Sequence, residues 1–231
     1  MGSEQPSPGS DDEQQVSETD NPPDSPAGHP SEADSLPDRF RTDLRLAWEE
    51  HRRYVGFSAL LFLVGMPVGV LLSLQGFDLA AALGLDDIEE LFPEDAELTA
   101  TFILTNNTRV FLLLVVGAVT AGLLTFFTLA LNGFIVGYVI TPIVAEEGIA
   151  FVLLGLLPHG VPELLAFFVA GGVAFRTVVG VFEKLRGNRD VIYGREGWRQ
   201  VGVFLAVAWV ILAVAAVIEA YVTVAILETL G

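Results

Sequence analysis

Apolar residues in this chain fall into long runs separated by short polar segments. Residues 54–74, 110–131 and 201–227 are each apolar over about twenty positions or more, and a helix rising ~1.5 Å per residue needs ~20 of them to cross a bilayer core. Each run predicts a transmembrane helix. A fourth apolar region, 134–182, is too long for one crossing. It is interrupted at Pro142, at Glu146, Glu147 and Gly148, and again over the stretch Pro158, His159, Gly160, Val161, Pro162, Glu163. It must hold two crossings, or one crossing and a re-entrant piece.

Basic residues order these elements, because loops rich in Lys and Arg stay in the cytoplasm. Arg39, Arg41, Arg45, Arg52 and Arg53 precede the first run; Arg176, Lys184, Arg186, Arg189, Arg195 and Arg199 surround the loop before the last. The segment 75–108 carries Asp78, Asp86, Asp87, Glu89, Glu90, Glu94, Asp95 and Glu97 and no basic residue. The N-terminal region and the 176–199 loop are therefore expected inside and 75–108 outside. From Arg109 outside to Lys184 inside, the chain crosses an odd number of times, and three is the economical number.

The expected fold is an all-α polytopic membrane protein of about five transmembrane helices: 54–74, 110–131, 134–157, 163–182 and 201–227. The N-terminus is cytoplasmic and the C-terminus extracytoplasmic, in a multi-pass cell-membrane protein. The third helix is expected broken into halves, 134–145 and 149–157, with a broken or re-entrant element at Pro158, His159 and Gly160. Freed backbone groups at membrane depth survive only where protein or a water-filled cavity covers them. Outside, 79–85 and 88–104 space their apolar residues for amphipathic surface helices. Small residues four apart, Gly65 and Gly69, Ala118 and Gly122, Gly133 and Gly137, and Ala166, Ala170 and Ala174, are helix-packing signals.

Composition adds a second domain. The net charge is -17 although 52% of residues are hydrophobic, so charge and apolar residues are segregated. Residues 1–38 hold ten Asp and Glu, no Lys or Arg, and seven of the twelve prolines. Such a stretch buries too little surface to offset its ordering entropy, so 1–38 is expected to be a disordered acidic cytoplasmic tail ahead of a 39–231 membrane domain. It lacks the basic start and apolar run of a cleavable signal peptide. With Lys184 the sole lysine and acids crowding the outer segment, the composition suits molar salt and points to a halophilic host. There is no cysteine, which removes disulfides and thiolate metal sites.

Ionisable and polar residues at membrane depth are costly and mark candidate sites. The candidates are Asn106, Asn107 and Arg109 at the outer start of the second run, Asn132 at its inner end, Glu146, Glu147, His159, Glu163 and Glu219. His159 and Glu163 share a helical face only if a helix begins before Pro158. With prolines at 158 and 162, Pro162 is instead expected to open the fourth helix, placing Glu163 near an N-terminus where the macrodipole favours a carboxylate. Glu219 and Arg109 lie toward the same outer side, which makes a cluster of Arg109, His159, Glu163 and Glu219 sterically possible. Enzyme motifs are missing: no His-Glu-x-x-His, no arginine at the third or fourth place after Glu147, no Gly-x-Ser-x-Gly elbow and no phosphate loop. The chain is expected to be non-enzymatic, without cofactor or metal.

Asn106, Asn107 and Arg109, Gly117 and Gly122, Asn132 and Gly133 with Gly137, then Leu157-Pro-His-Gly-Val-Pro-Glu-Leu-x-Ala and Gly171-Gly172 resemble the stage II sporulation protein M family. The resemblance covers roughly the last 180 residues and is most specific over 106–174. It implies a multi-span membrane protein, with Asn107, Asn132, Gly133, Pro158, His159, Gly160, Glu163 and Ala166 as family-defining positions. In spore formers the family's namesake sits with two partners in a complex that remodels peptidoglycan, as an anchor and scaffold. The acidic, salt-adapted composition implies a host that forms no spores, so the resemblance carries the fold rather than the sporulation role. Two readings follow. One is a scaffold or anchor whose partners are the lipid bilayer and other membrane proteins or further copies of itself, with no nucleic acid. The other is a transporter or channel for a small solute or ion through the broken-helix region.

Overall fold

The computed structural model describes residues 35–84, 99–223 and 225. The expectations for the tail over 1–34, for the outer segment over 85–98 and for the last run beyond 225 lie outside those residues. The described chain is helical. Helix α1 (Leu36–Leu74) is followed by a short α2 (Leu79–Leu83), then α3 (Ala100–Val116), α4 (Leu123–Glu147), α5 (Ile149–Leu185) and α6 (Arg195–Val217). A 3-10 turn, Gly117–Thr120, extends α3, and a π-helical turn, Ile218–Thr223, extends α6. With those extensions, five helices are long and apolar enough to cross a membrane.

The number of crossings matches the sequence expectation, but the bounds of the second, third and fourth crossings do not. Run 110–131 is not one helix. It folds back at Ala121 and Gly122, whose φ values are 53° and 85°. The turn carries no charge. Its backbone is satisfied locally by the Gly122 amide on the Gly117 carbonyl (3.0 Å), the Thr120 hydroxyl on Gly117 (2.9 Å) and the Thr125 hydroxyl on Leu114 (2.9 Å). A turn that meets its own hydrogen bonds can be apolar, and it leaves no charge signal in the sequence. The crossings are consequently Ala100–Thr120 and Leu123–Glu147 rather than 110–131 and 134–157, and the fourth helix is Ile149–Leu185 rather than 163–182.

The second correction concerns the breaks. α4 runs through Pro142 and α5 runs through Pro158 and Pro162, so there are no half-helices 134–145 and 149–157, and no re-entrant turn at Pro158, His159 and Gly160. Of the three interruptions, only Gly148 ends a helix, with φ 88° and ψ 161°, a conformation open essentially to glycine alone. Proline deletes one backbone donor, and a membrane helix packed among others tolerates that.

Close packing explains the spacing of small residues. A Cβ on Gly65 would strike the Ala130 carbonyl, and one on Gly69 the Phe134 carbonyl. Reciprocally, Gly133 faces Phe62 and Gly137 faces Met66. Higher numbers on α1 meet higher numbers on α4, so the two helices run parallel with backbones in contact. Gly171 of α5 packs on Ser58 and Leu129, and Gly172 on the Val55 backbone. Ala166, Ala170 and Ala174 on the same helix are fully buried. In lipid, where apolar burial gives little preference for helix over lipid, such approaches supply the dispersion contacts that hold a bundle together.

Candidate functional site

Polar side chains gather at two ends of the bundle. At the end that carries the 186–194 loop, α1 presents Asp43, Ala47, His51, Val55 and Ser58 as one buried stripe at spacings of four and three. Arg199 of α6 donates to Asp43 at 2.8 Å, and Arg176 of α5 to Glu50 at 2.7 Å. His51 is fully buried. Its Nδ1 lies 2.7 Å from the Ala47 carbonyl and must donate there, which leaves Nε2 to accept from the Tyr193 hydroxyl at 3.1 Å. Burial raises the Tyr193 phenol above the ordinary tyrosine value, so it stays protonated and able to donate. The Arg176 guanidinium also lies over the Tyr193 ring, 5.6 Å from its centre. Sequence reasoning counted Arg176 and Arg199 only as orienting charges and gave no role to Asp43, Glu50, His51 or Tyr193. The signal that could have found the network is the polar residues falling on the buried stripe of α1.

At the opposite end, continuity of α5 puts His159 and Glu163 one turn apart on one face. The expectation that Glu163 caps a helix beginning at Pro162 is therefore replaced: it is the fifteenth residue of α5. The π-helical turn after α6 brings Glu219 and Thr223 against that face. One ligand atom each from His159, Glu163 and Glu219 lies within 4.8 Å of the others, and all three side chains are half-buried. His159 Nδ1 is 3.0 Å from the Thr223 hydroxyl.

Arg109 does not join them. Because α3 starts at Ala100, Arg109 is nine residues inside the helix, not at its outer start, and its side chain is exposed. Asn107 lies ~200° away around a 3.6-residue helix and faces inward with Ile103, Phe111 and Leu114. Asn132 is midway along α4, not at an inner end, and its amide bonds the Thr128 carbonyl of its own helix at 2.7 Å. Gly133 belongs to the α1–α4 crossing. Pro158 is half-buried and Gly160 buried, both inside α5. Thus three of the expected polar residues meet, and the others serve packing or face other surfaces.

Between the two ends the fully buried side chains are Leu114, Leu129, Leu212, Ser58 and Thr125 together with alanines of α5 and α6. The Ser58 and Thr125 hydroxyls donate to backbone carbonyls of Tyr54 and Leu114.

No solved structure matches the chain. An uncharacterized protein of the archaeon Methanocaldococcus jannaschii is 27% identical over 169 residues, which cover 68% of this chain and 95% of that protein. The family described as Stage II sporulation protein M matches residues 58–224, from the middle of α1 to just beyond the π-helical turn. The match takes in the α1–α4 crossing, the whole of α5 and the His159, Glu163 and Glu219 cluster, and the chain belongs to the stage II sporulation protein M family.

Proposed function

We propose that this chain is a non-enzymatic membrane anchor and scaffold, with the 186–194 loop and the start of α1 in the cytoplasm and the C-terminal end of α6 outside. The carrying observation is the closed middle of the bundle. The layer between its two polar ends is filled by Leu114, Leu129, Leu212 and small residues, with its buried hydroxyls spent on backbone carbonyls. A conduction path needs polar or hydrated lining along its length, and broken helices are its usual source. The reading as a transporter rested on such breaks and on buried carboxylates; α5 runs unbroken, and Glu163 and Glu219 gather at one end of the bundle, beyond that apolar layer. Helix α1, 39 residues and about 58 Å long, extends well beyond the ~20 residues needed to span, and so offers a helical cytoplasmic arm for partners.

The test pairs two measurements on the full chain. Purified from its own membranes in mild detergent at high salt, it should elute with a stoichiometric membrane-protein partner or as a defined homo-oligomer. In proteoliposomes it should leave ion and small-solute flux at the level of empty vesicles. A monomer that elutes alone and conducts would reverse the assignment in favour of transport.

A further inference from the structure

The cluster on the outer half of α5 has an unbalanced charge. Glu163 and Glu219 approach each other at membrane depth, and neither forms an ion pair among the described residues. Arg109, the cation expected to balance them, is exposed on another surface. Two half-buried carboxylates brought together repel each other unless a proton or a cation neutralises the charge, and a cation can satisfy both at once. His159 adds a nitrogen donor to the same small volume. Two ligand atoms bound ~2.1 Å from one metal ion lie ~3–3.5 Å apart in a tetrahedral arrangement, so three atoms already within 4.8 Å need only small side-chain rotations to converge.

We propose that His159, Glu163 and Glu219 form a binding site for a divalent transition-metal ion. The donor set decides the class of ion. One imidazole with two carboxylates suits Zn²⁺ or Mn²⁺; Mg²⁺ and Ca²⁺ prefer oxygen alone, and the thiolate sites of softer ions are excluded by the lack of cysteine. Thr223 supplies the supporting contact. With His159 Nδ1–H donating to the Thr223 hydroxyl at 3.0 Å, the ring is held and Nε2 keeps its lone pair for the ion. Thr223 and Glu219 are both presented by the π-helical turn Ile218–Thr223. π-turns are rare and concentrate at functional positions. Three open or water-filled positions would complete an octahedral ion, or one a tetrahedral ion.

The site is tested on tag-free, chelator-stripped full chain in detergent, titrated with Zn²⁺ against excess Mg²⁺ to occupy the acidic N-terminal residues. Wild type should take up one Zn²⁺ saturably. Thr223→Val, which removes only the contact behind His159, should weaken binding by ~10-fold. The double variant Glu163→Gln, Glu219→Gln should lose the saturable component, while Glu146→Gln, Glu147→Gln at the end of α4 should keep it. X-ray absorption of the Zn²⁺-loaded wild type needs no variant to fold: one imidazole among oxygen ligands is expected. An all-oxygen shell, equal uptake by wild type and the double variant, or no saturable uptake by wild type would each overturn the site.

Discussion

Individual glycines set how closely two helices approach, and their environments separate them sharply. A Cβ at Gly133 would collide with the Phe62 carbonyl, whereas one at Gly56 meets nothing within 4 Å. Gly133→Val should therefore destabilise the detergent-solubilised protein by about 1–3 kcal/mol, read as a lowered unfolding temperature, while Gly56→Ala should leave it unchanged or raise it slightly. The ion pairs divide in the same way. The Arg176 side chain is 5% exposed, and Glu50 is its sole ion-pair partner among the described residues. The Arg45–Glu49 pair, by contrast, is mostly exposed. Glu50→Ala strands a buried guanidinium and should cost ~2–4 kcal/mol; Arg45→Ala should cost less than ~1 kcal/mol in the same unfolding assay. At this scale the sequence was informative about Gly65, Gly69, Gly133 and Gly137, whose four-residue spacing puts each pair on one helix face; the same spacing misleads at Ala118 and Gly122, which lie in the turn between α3 and α4 and share no helix face. It was silent about His51, since a buried histidine and a solvated one have the same letter.

Among the elements, helix length was legible and helix ends were not. Apolar runs fix how much chain lies in lipid, and five crossings followed from that and from the arginines. The ends are hidden because proline does not terminate these helices and the turn between α3 and α4 carries no charge. Pro142, Pro158 and Pro162 lie inside helices, and the uncharged turn at Ala121 and Gly122 ends one. Backbone conformation, not polarity, marks the ends. Gly148 makes the point testable: at φ 88° and ψ 161° a side chain is strained although nothing lies within 4 Å of its Cβ position. Gly148→Ala should cost about 1–3 kcal/mol of stability in an unfolding titration, an effect that contacts alone would not foresee. Pro162→Ala at the centre of α5 should by contrast keep helix content by circular dichroism, because the helix already passes through that position.

For the whole molecule, the arrangement of turns makes a topology prediction that the apolar runs alone would have made differently. A natural chain without cysteine allows single cysteines to be read cleanly. Val119 at the α3–α4 turn is 86% exposed, and in the proposed orientation it shares a side with Asn188. Cysteines at Val119 and Asn188 should resist an impermeant thiol reagent on intact cells and react after permeabilisation, while one at Glu147 should react at once. A single helix over 110–131 would instead bury Val119 at membrane depth and leave it unreactive under both conditions. The polar cluster follows the same logic at larger scale. His159, Glu163 and Glu219 could be suspected from residue type, but their meeting depends on α5 passing unbroken through two prolines and on a π-turn 56 residues later, neither of which has a reliable local signature.

The parallel crossing of α1 and α4 also constrains how the protein is made. α1 packs against α4, α5 and α6, whereas α3, the next long helix to leave the ribosome, packs against the later helices and not substantially against α1. The glycine face of α1 therefore enters the membrane before the surface that covers it has been synthesised, and must wait for Gly133 and Gly137 to emerge. Until then the first helix has lipid or the insertion machinery as its neighbour, so the α1 contacts that close the bundle form only once α4 and the later helices have been made.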